Sequence, residues 1–411
     1  MKKEIKAVIG KNFGDEGKGM AVDCLCRGKN AVVVRHNGGA QAGHTVEEGP
    51  FRFVFHQLGS GSYRGCPTYW SETFLPDLFK LGEEVESFKK EVLEKTGKIL
   101  EPVIYAYGDC ACTTVYDVLL NSLAEVLRGK EKHGSCGMGI YETVLRSKEK
   151  KYTLRLKEFA GASISAIAEK LRLIRDEYVK GRLEKLKKEY PKNMLLPESR
   201  EWTALLYDEN LPYNAAEIMC ENFGRYVTLA DMDLIWEQYA PIIFEGAQGL
   251  MLDENNTEYY PHLTPSRTGL YNVARLIGKY EVSLEVIYVS RTYVTRHGAG
   301  RLDFECAKED INPLMEDKTN LANRWQNDLR FARHPYGDGF WKYIRQDLNC
   351  LNETGRPAKV SLYLTHLDET KGKILFSDRE CSFREFTDFC NREGITAYCD
   401  SGLSFSLTNI F

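Results

Sequence analysis

The sequence predicts an α/β fold with a large, mainly parallel central sheet flanked by helices. Short apolar runs, such as residues 6–9 (KAVI) and 31–34 (AVVV), are typical of strands buried on both faces of a parallel sheet. Each run leads into a loop of small residues, and residues 20–28 (MAVDCLCRG) predict a short helix between the two strands. Strand, loop, helix, strand is the unit of a parallel sheet, where ligand sites occupy the loops after strands.

The same pattern returns later in the chain. Residues 241–244 (PIIF), 282–289 (VSLEVIYV) and 360–364 (VSLYL) each predict a strand. The first leads into EGAQG, the second into RTYVTRHGAGR and the third into THLDET, all of which we expect to be loops.

The middle of the chain predicts helices rather than strands. Residues 166–190 place apolar side chains at helical spacing on a Lys/Glu-rich background, which predicts a solvated amphipathic helix with a break near Gly181. Residues 196–213 (LPESREWTALLYDENLPY) indicate a loop-rich connection. We expect a single domain over 1–411 that contains a helix-rich, insertion-like region at 150–240.

The composition argues against a nucleic acid or an anionic membrane as partner. The 411 residues carry a formal net charge of −4, so no overall basic field attracts such surfaces. The N-terminus, MKKEIKAVIG, is too soon interrupted by Gly and charge for a signal peptide, and no apolar run is long enough to span a bilayer.

The cysteines predict a reducing compartment. There are twelve, but no pair has CxxC spacing, and the closest pairs are Cys24/Cys26 and Cys110/Cys112. Buried reduced thiols explain this distribution more simply than zinc ligands or disulfides, which remain the alternative. We therefore expect the cytoplasm.

The first glycine-rich loop (loop 1, residues 10–19) predicts a phosphate site. In its GDEGKG segment the glycines allow N–H groups to approach an anion, and Lys18 adds a positive charge. The loop is not a Walker A motif, because Gly19 stands where that motif has the Ser or Thr that binds Mg²⁺. Asp15 is the candidate metal ligand in its place. The alternative is a glycine-rich turn with solvated charges.

Two further small-residue loops carry polar side chains after predicted strands. Loop 2 (residues 37–45, NGGAQAGHT) contains Gln41 and His44, and loop 3 (residues 245–249, EGAQG) contains Gln248. Such positions are where parallel sheets place active-site groups, although a lone His is also common as a structural residue. Three such loops at one sheet edge favour a functional site over turns alone.

Seven segments together resemble the adenylosuccinate synthetase family. They are GDEGKG, GGAQAGHT, FHQLGSG, FEGAQGLMLD, YPHLTPS, TRHGAG and LTHLD, in this order and at similar spacings. The resemblance runs from about Ile5 to near the C-terminus and is weakest over 150–240. It implies a P-loop-like nucleotide-binding α/β fold with helical insertions.

The resemblance also implies a reaction. The family transfers the γ-phosphate of GTP to the 6-oxygen of IMP, and the amine of L-aspartate then displaces the phosphate to give adenylosuccinate. Asp15 matches the general base that removes the N1 proton, His44 the general acid, and Gln248 the amide that holds the 6-oxygen. Lys18 would hold the phosphates, while Asp15 and the carbonyl of Gly43 match ligands of Mg²⁺.

The remaining site residues are assigned by the same resemblance. The nucleotide- or phosphate-binding positions are Gly14, Glu16, Gly17, Gly19, Gln41, Ser135, Cys136, Arg146, Thr264, His366, Asp368, Ser401 and Gly402. The aspartate-binding positions are Thr319, Asn320, Arg324 and Arg330. Arg146 matches an Arg that reaches into the neighbouring subunit's site, which implies a homodimer with shared sites.

The sequence departs from the family pattern at several positions. The aspartate loop, usually Thr-Thr-Gly followed by several arginines, reads TNLANRWQNDLRF, so the amine donor is open. The guanine-reading TKLD is THLD here, with His366 for Lys, which leaves GTP and ATP open as donors. Gln41 replaces the usual Asn, Ser135 and Cys136 replace a Thr pair, and SGLSF differs from the usual Ser-x-Gly-Pro.

Two other functions remain open. A relative that aminates GMP or dGMP would give a 2-amino product. The altered THLD motif favours it slightly, whereas Asp15 argues against it because a 2-amino group would crowd that carboxylate. The second open function is that of a non-catalytic nucleotide-binding homologue. The retention of Asp15, Lys18, His44 and Gln248 argues against this function.

Overall fold

The computed structural model describes residues 2–129, 137–315, 329–352 and 355–399. Its strands are β1 (Lys3–Gly10), β2 (Val32–Arg35), β3 (His44–Glu48), β4 (Phe51–Phe55), β5 (Thr68–Trp70), β6 (Ile104–Ala106), β7 (Val227–Leu229), β8 (Ile242–Gly249), β9 (Val282–Arg291), β10 (Val294–Arg296), β11 (Glu305–Cys306), β12 (Arg330–Ala332), β13 (Ala358–Thr365), β14 (Lys373–Leu375), β15 (Glu380–Ser382) and β16 (Thr396–Cys399). Its α-helices are α1 (Lys18–Cys26), α2 (Leu78–Thr96), α3 (Val115–Arg128), α4 (Ile140–Ser147), α5 (Ile164–Leu173), α6 (Lys180–Glu189), α7 (Pro197–Leu206), α8 (Leu211–Tyr226), α9 (Met232–Gln238), α10 (Tyr271–Leu276), α11 (Asp338–Asn352) and α12 (Phe383–Arg392).

A nine-stranded sheet forms the centre of the fold, in the order β16-β13-β9-β1-β8-β2-β5-β6-β7. All of its neighbouring strands pair in parallel. This confirms the predicted α/β fold with a large parallel sheet, and all five strands predicted from sequence belong to it.

The apolar runs form buried strands because helices cover both faces of the sheet. Along β1, Ile5 and Ile9 belong to the apolar cluster that contains Trp341 of α11. Val8 points to the opposite face, as the two-residue period of a strand requires, and joins the cluster that contains Val22 of α1. Neither face therefore shows the alternation of a half-exposed strand.

The topology brings the loops of interest together. Strands β13, β9, β1, β8 and β2 are consecutive neighbours in the sheet and run in one direction. Their carboxyl ends lie at one edge, the place where open parallel sheets bind ligands.

The prediction of a loop-rich connection at 196–213 is wrong, because α7 and α8 occupy most of it. Pro197 and Pro212 both lie in the first turn of a helix, where the N–H that proline lacks would have no intrahelical partner. The predicted amphipathic helix is confirmed, but its irregularity is a π-helical segment at Ile174–Val179, and Gly181 lies inside α6.

Three predicted loops contain strand residues. The prediction that residues 245–249 (loop 3) form a loop is wrong, because β8 continues to Gly249. It stays beside β1, with a shift of register between Val8 and Gly10. His44 of loop 2 is the first residue of β3, and β10 lies within the predicted loop after β9.

None of the helices in the described ranges is both long and apolar enough to cross a membrane. The eleven cysteines in those ranges are all free thiols.

Candidate active site

A cleft of about 950 Å³ opens at the edge where the five central strands end. It is lined by residues from all three predicted loops. The predicted site residues among its lining are Gly14, Asp15, Glu16, Gly17, Lys18, Gly19, Gln41, Gly43, His44, Gln248, Thr264, His366 and Asp368. The structure therefore brings together most of the described residues that the sequence nominated.

Glycines let the three loops approach one another. A Cβ on Gly19, in the first turn of α1, would lie 2.7 Å from the carbonyl oxygen of Thr45. A Cβ on Gly38 would lie 2.9 Å from the Cβ of Ala247, and the φ of Gly38 is +67°. Side chains at these positions would force loop 2 away from loop 1 and loop 3.

Loop 1 is held in shape from within by Glu16. One oxygen of this buried carboxylate accepts hydrogen bonds from the backbone N–H groups of Asn12 (3.0 Å) and Gly14 (2.8 Å). The other lies 2.8 Å from Nζ of Lys18, which is also buried. Lys18 is thereby fixed at the start of α1, where the helix N-terminus also favours an anion.

Asp15 presents its carboxylate to the cleft from a left-handed backbone conformation, with φ of +60°. Arg291, the last residue of β9, donates from Nε to the carbonyl oxygen of Asp15 at 2.6 Å. Nε2 of His297 lies 3.4 Å from Oδ2 of the same residue. Asp tolerates this conformation better than most residues, and neighbouring groups hold it in place.

His44 forms a buried pair with Glu245 of β8. Its Nδ1 lies 2.8 Å from Oε1 of the carboxylate, which also accepts hydrogen bonds from the backbone N–H (3.1 Å) and the hydroxyl of Ser60. Arg35 lies 3.6 Å from the other carboxylate oxygen. The imidazole is thus fixed in orientation through one nitrogen.

The charges of this pair follow from burial. Burial lowers the pKa of His44 to about 4, although the neighbouring Glu245 opposes the shift. Burial also disfavours ionisation of Glu245, but its contacts with His44, Arg35 and Ser60 outweigh this effect and lower its pKa to about 2. At neutral pH Glu245 is therefore the anion, and neutral His44 donates its Nδ1–H to it.

Two amides meet between loops 2 and 3. Nε2 of Gln41 lies 3.5 Å from Oε1 of Gln248, and the backbone of Gln248 has a φ of +59°. On the far side of the cleft, His366 follows β13, with a φ of +60° and Nδ1 2.8 Å from the hydroxyl of Thr365. That hydroxyl donates to the carbonyl of Glu16 at 2.8 Å, which joins β13 to loop 1.

Arg146, predicted to reach a neighbouring subunit, does not line the cleft of its own chain. Its side chain is fully buried in its own chain, where it forms an ion pair with Asp117 of α3 at 2.7 Å. The guanidinium also donates to the carbonyls of Tyr152 (2.6 Å) and Cys112 (2.7 Å). All three guanidinium nitrogens are therefore hydrogen-bonded within the chain.

Arg330 lies in β12 and does not line the cleft. Its guanidinium donates to both carboxylate oxygens of Glu305, at 2.7 and 2.6 Å, and to the carbonyl of Gly300 at 2.8 Å. The other predicted aspartate-binding residues, Thr319, Asn320 and Arg324, lie outside the described residues, as do Ser135, Cys136, Ser401 and Gly402.

Sequence reasoning missed three residues that support the site. Glu245 holds the ring of His44. Arg291 donates to the backbone carbonyl of Asp15, and His297 lies beside the Asp15 carboxylate. All three lie in or beside segments that carried the resemblance, but their roles depend on contacts between distant strands. Only the position of Glu245 directly after a buried strand could have indicated it.

The donor set fits magnesium. The partly exposed carboxylate of Asp15 and the residue Gly43, with its carbonyl oxygen, both line the cleft, and Mg²⁺ prefers oxygen ligands. Within the described residues, no group of three or more His, Cys, Asp or Glu side chains could hold a metal. A bound Mg²⁺ would therefore complete its shell with substrate phosphates and water.

The parallel sheet and the cleft at its carboxyl edge define an α/β protein whose ligand site lies beyond the ends of the strands. The adenylosuccinate synthetase family model matches residues 7–324. The chain belongs to the adenylosuccinate synthetase family.

Curated relatives are similar over most of this chain. The adenylosuccinate synthetases of Streptomyces griseus and Thermoplasma acidophilum are each 30% identical to it, over 314 and 316 residues. These alignments cover 75% of this chain but 66% of each relative, slightly less than two thirds of their length.

Two solved structures share the fold. A fully ligated adenylosuccinate synthetase from Plasmodium falciparum has a TM-score of 0.62 at 21% identity, covering 91% of this chain and 80% of that one. The cyanophage S-2L succinoaminodeoxyadenylate synthetase, bound to dGMP and to dATP as an energy donor, has a TM-score of 0.59 at 15% identity, covering 100% and 95%.

Proposed function

We propose that this protein is a ligase that joins L-aspartate to IMP with hydrolysis of GTP, giving adenylosuccinate, GDP and phosphate. One observation carries the proposal: Asp15, Lys18, His44 and Gln248, from the ends of three neighbouring strands, line a single cleft. A protein that only bound nucleotide would not need a carboxylate and an oriented imidazole facing the same space.

The reaction needs an activated 6-oxygen, because that oxygen is a poor leaving group. Asp15 takes the N1 proton of the purine, so that the 6-oxygen becomes the nucleophile for the γ-phosphate. Gln248 holds the 6-oxygen through its amide. The amine of aspartate then attacks C6, and the oxygen leaves with the phosphate.

His44 and Lys18 act on the transferring phosphoryl group. Lys18 and the N–H groups of loop 1 hold the phosphates by charge and position. An anionic phosphate beside His44 would raise the pKa of the imidazole, because opposite charges favour the protonated form. With Nδ1 held by Glu245, Nε2 is the nitrogen that donates to the phosphoryl oxygens. A Mg²⁺ held by Asp15 and Gly43 would neutralise phosphate charge.

An isotope experiment tests this chemistry. IMP labelled with oxygen-18 at the 6-position is incubated with the protein, GTP, Mg²⁺ and aspartate, and the products are measured by mass spectrometry. We expect adenylosuccinate without label and phosphate that carries one labelled oxygen. Adenylosuccinate formed together with unlabelled phosphate would rule out the phosphorylated intermediate, and no adenylosuccinate at all would rule out the proposed reaction.

A second candidate is the amination of GMP or dGMP, with ATP or GTP as donor. The likeness to the phage synthetase bound to dGMP and dATP covers the whole of this chain and motivates the comparison. His366 before Asp368 also differs from the residue expected for a guanine-reading motif. The same labelling experiment with GMP and dGMP separates the two candidates. The first candidate consumes IMP, whereas the second consumes GMP or dGMP.

The assembly and the amine donor remain proposals. We propose a homodimer in the cytoplasm, where thiols stay reduced, and aspartate bound by Thr319, Asn320 and Arg324. Arg146 has no part in a shared site in this proposal, because each of its three guanidinium nitrogens is hydrogen-bonded within its own chain.

A further inference from the structure

His297 lies where it can control the proposed base. It follows β10 in the turn at residues 297–301, lines the cleft, and is mostly buried, with 18% of its side chain exposed. Its Nε2 stands 3.4 Å from Oδ2 of Asp15, an ion-pair distance from one of the two carboxylate oxygens. The contact joins the end of β10 to loop 1.

The turn that carries His297 is held from behind. Arg296 is buried and donates to the carbonyls of Arg301 (2.5 Å) and His262 (3.1 Å). Arg330 donates to the carbonyl of Gly300 at 2.8 Å. These bonds fix the backbone on both sides of His297, so its ring is presented to Asp15 by a rigid segment.

The ring of His297 approaches the carboxylate of Asp15. Nδ1 of His297 is buried and has no hydrogen-bond partner among the described residues. Among the described residues, the Asp15 carboxylate is the polar group that approaches the ring, and it does so through Oδ2.

We propose that His297 is a positioning and specificity residue: it occupies Oδ2 of Asp15, leaves Oδ1 for the purine N1–H, and so favours an acceptor without a 2-amino group. The proposal rests on the proposed function, in which Asp15 removes the N1 proton. It deepens that function by stating why IMP, rather than GMP or dGMP, is the acceptor.

The argument depends on how many N–H groups the base presents. Hypoxanthine offers one, at N1, whereas guanine offers N1–H and the adjacent 2-amino group. The carboxylate of Asp15 leaves little room for a 2-amino group beside N1. The ring of His297, with Nε2 3.4 Å from Oδ2, occupies space next to the oxygen that the 2-amino group of guanine would have to reach. An unpaired buried donor of this kind weakens binding by about 10- to 100-fold.

The test compares the full-length protein with His297→Leu, His297→Gln and the control Arg301→Gln. Leu removes the contact at similar volume, whereas the Gln amide can still donate to Asp15. Arg301 lies in the same turn but is exposed, with its side chain paired to Asp303. The readouts are kcat and KM for IMP and GTP, and the dissociation constants of IMP and GMP by calorimetry.

We expect the wild type to bind IMP more tightly than GMP, and His297→Leu to shrink this preference by about tenfold. In the same variant kcat with IMP should fall about tenfold while KM for GTP stays within about twofold, because Asp15 loses its orientation and the phosphate site does not change. His297→Gln should restore most of both values, and Arg301→Gln should match the wild type.

Three results would overturn the proposal. They are a wild type that prefers GMP, a Leu variant with an unchanged IMP preference, and Gln and Leu variants that are impaired alike. The proposed function fails separately, when the wild type forms no adenylosuccinate from IMP. The ratio of the dissociation constants of IMP and GMP is measured without turnover. It therefore tests the role of His297 even when no adenylosuccinate forms.

Discussion

At the scale of single residues, the site depends on side chains that orient other side chains. His44 owes its orientation to Glu245, and Asp15 is held through its backbone by Arg291 and through its carboxylate by His297. The groups proposed to react with substrate are therefore fixed by neighbours on other strands. Such support is what makes a catalytic geometry persist.

Replacement of Glu245 by Gln tests this support for His44. The amide keeps the volume but cannot stabilise a protonated imidazole, so kcat should fall by about 10- to 100-fold, with KM for the nucleotides changed less than about threefold. Steady-state kinetics measure both. Glu48→Gln is the matched control, because Glu48 is a half-exposed residue of β3 that pairs with Arg64 outside the cleft. Equal activities of the two variants would contradict the role of Glu245.

The sequence predicted the reacting residues better than the supporting ones. Asp15, Lys18, His44 and Gln248 stand in glycine-rich loops, where local pattern indicates a ligand site. Glu245 lies 201 residues after His44 in the sequence, and His297 lies 282 residues after Asp15. No local sequence pattern indicates contacts between residues so far apart. For a related reason, the match of Arg146 to a family position did not reveal its ion pair with Asp117.

At the scale of elements, carboxylates hydrogen-bonded to neighbouring elements join helices to the rest of the fold. Asp347 of α11 accepts hydrogen bonds from the backbone N–H of Leu270 (2.8 Å), just before α10, and from the hydroxyl of Tyr288 in β9 (2.9 Å). Burial raises the pKa of Asp347 to about 7, although these two hydrogen bonds oppose the shift. The protonated carboxyl is thus the form that the folded state prefers.

This shift predicts a pH dependence of stability. Between about pH 4 and pH 7 the folded protein holds a proton on Asp347 that the unfolded chain releases, so the contribution of this residue to stability falls as pH rises. Asp347→Asn removes the titration. The amide oxygen can keep the hydrogen bond from the N–H of Leu270, and the amide N–H can donate to the hydroxyl of Tyr288, which reverses the direction of that bond. The variant should gain stability over the wild type progressively across this window, by at most about 4 kcal/mol.

Thermal unfolding from pH 5 to pH 8 measures the difference. Asp338→Asn is the control, because Asp338 is an exposed residue in the first turn of the same helix. A stability difference between Asp347→Asn and wild type that does not grow with pH would contradict the assignment.

Glu84 of α2 holds the segment that leads to Ser60. Its carboxylate accepts hydrogen bonds from three consecutive backbone N–H groups, those of His56 (2.8 Å), Gln57 (2.9 Å) and Leu58 (3.1 Å). Glu84→Ala leaves these donors unpaired and should lower the free energy of unfolding by about 3 kcal/mol. The neighbouring exposed Glu83 forms a surface ion pair with Lys80, so Glu83→Ala should cost less than about 1 kcal/mol.

Denaturant unfolding followed by tryptophan fluorescence measures both variants. Similar losses for Glu84→Ala and Glu83→Ala would show that the carboxylate does not hold the segment.

The type of element was predictable where the periodicity was strong. The buried strands and the amphipathic helix follow directly from their apolar spacing. Residues 196–213 were misjudged because two prolines and several polar residues resemble a loop, while both prolines occupy the first turns of helices. Loop 3 was misjudged because its glycines lie within β8, where small residues let the strand stay beside β1.

At the scale of the whole molecule, the order of the strands brings the proposed catalytic residues to one cleft. Asp15, Lys18, His44 and Gln248 meet because their strands are neighbours in the sheet, although loop 3 lies about 200 residues after loop 2 in the sequence. The order of strands could not be read from the sequence, since parallel connections leave the choice of neighbour to tertiary packing.

A mixing experiment tests whether sites are shared between subunits. If Arg146 completed a neighbour's site, mixing the inactive variants Asp15→Ala and Arg146→Leu would restore part of the activity in mixed dimers. We expect no restoration, because Arg146 is buried against Asp117 in its own chain and its loss should destabilise that chain. Activity that rises well above the sum of the separate variants would contradict this account.

The central claim is the identity of the reaction, and one measurement addresses it most directly. Phosphate release is followed with Mg²⁺ and aspartate while IMP, GMP and dGMP are each crossed with GTP and ATP. The account predicts release with IMP that stops when aspartate is left out. Release only with GMP or dGMP, or none in any combination while nucleotide still binds, would contradict it.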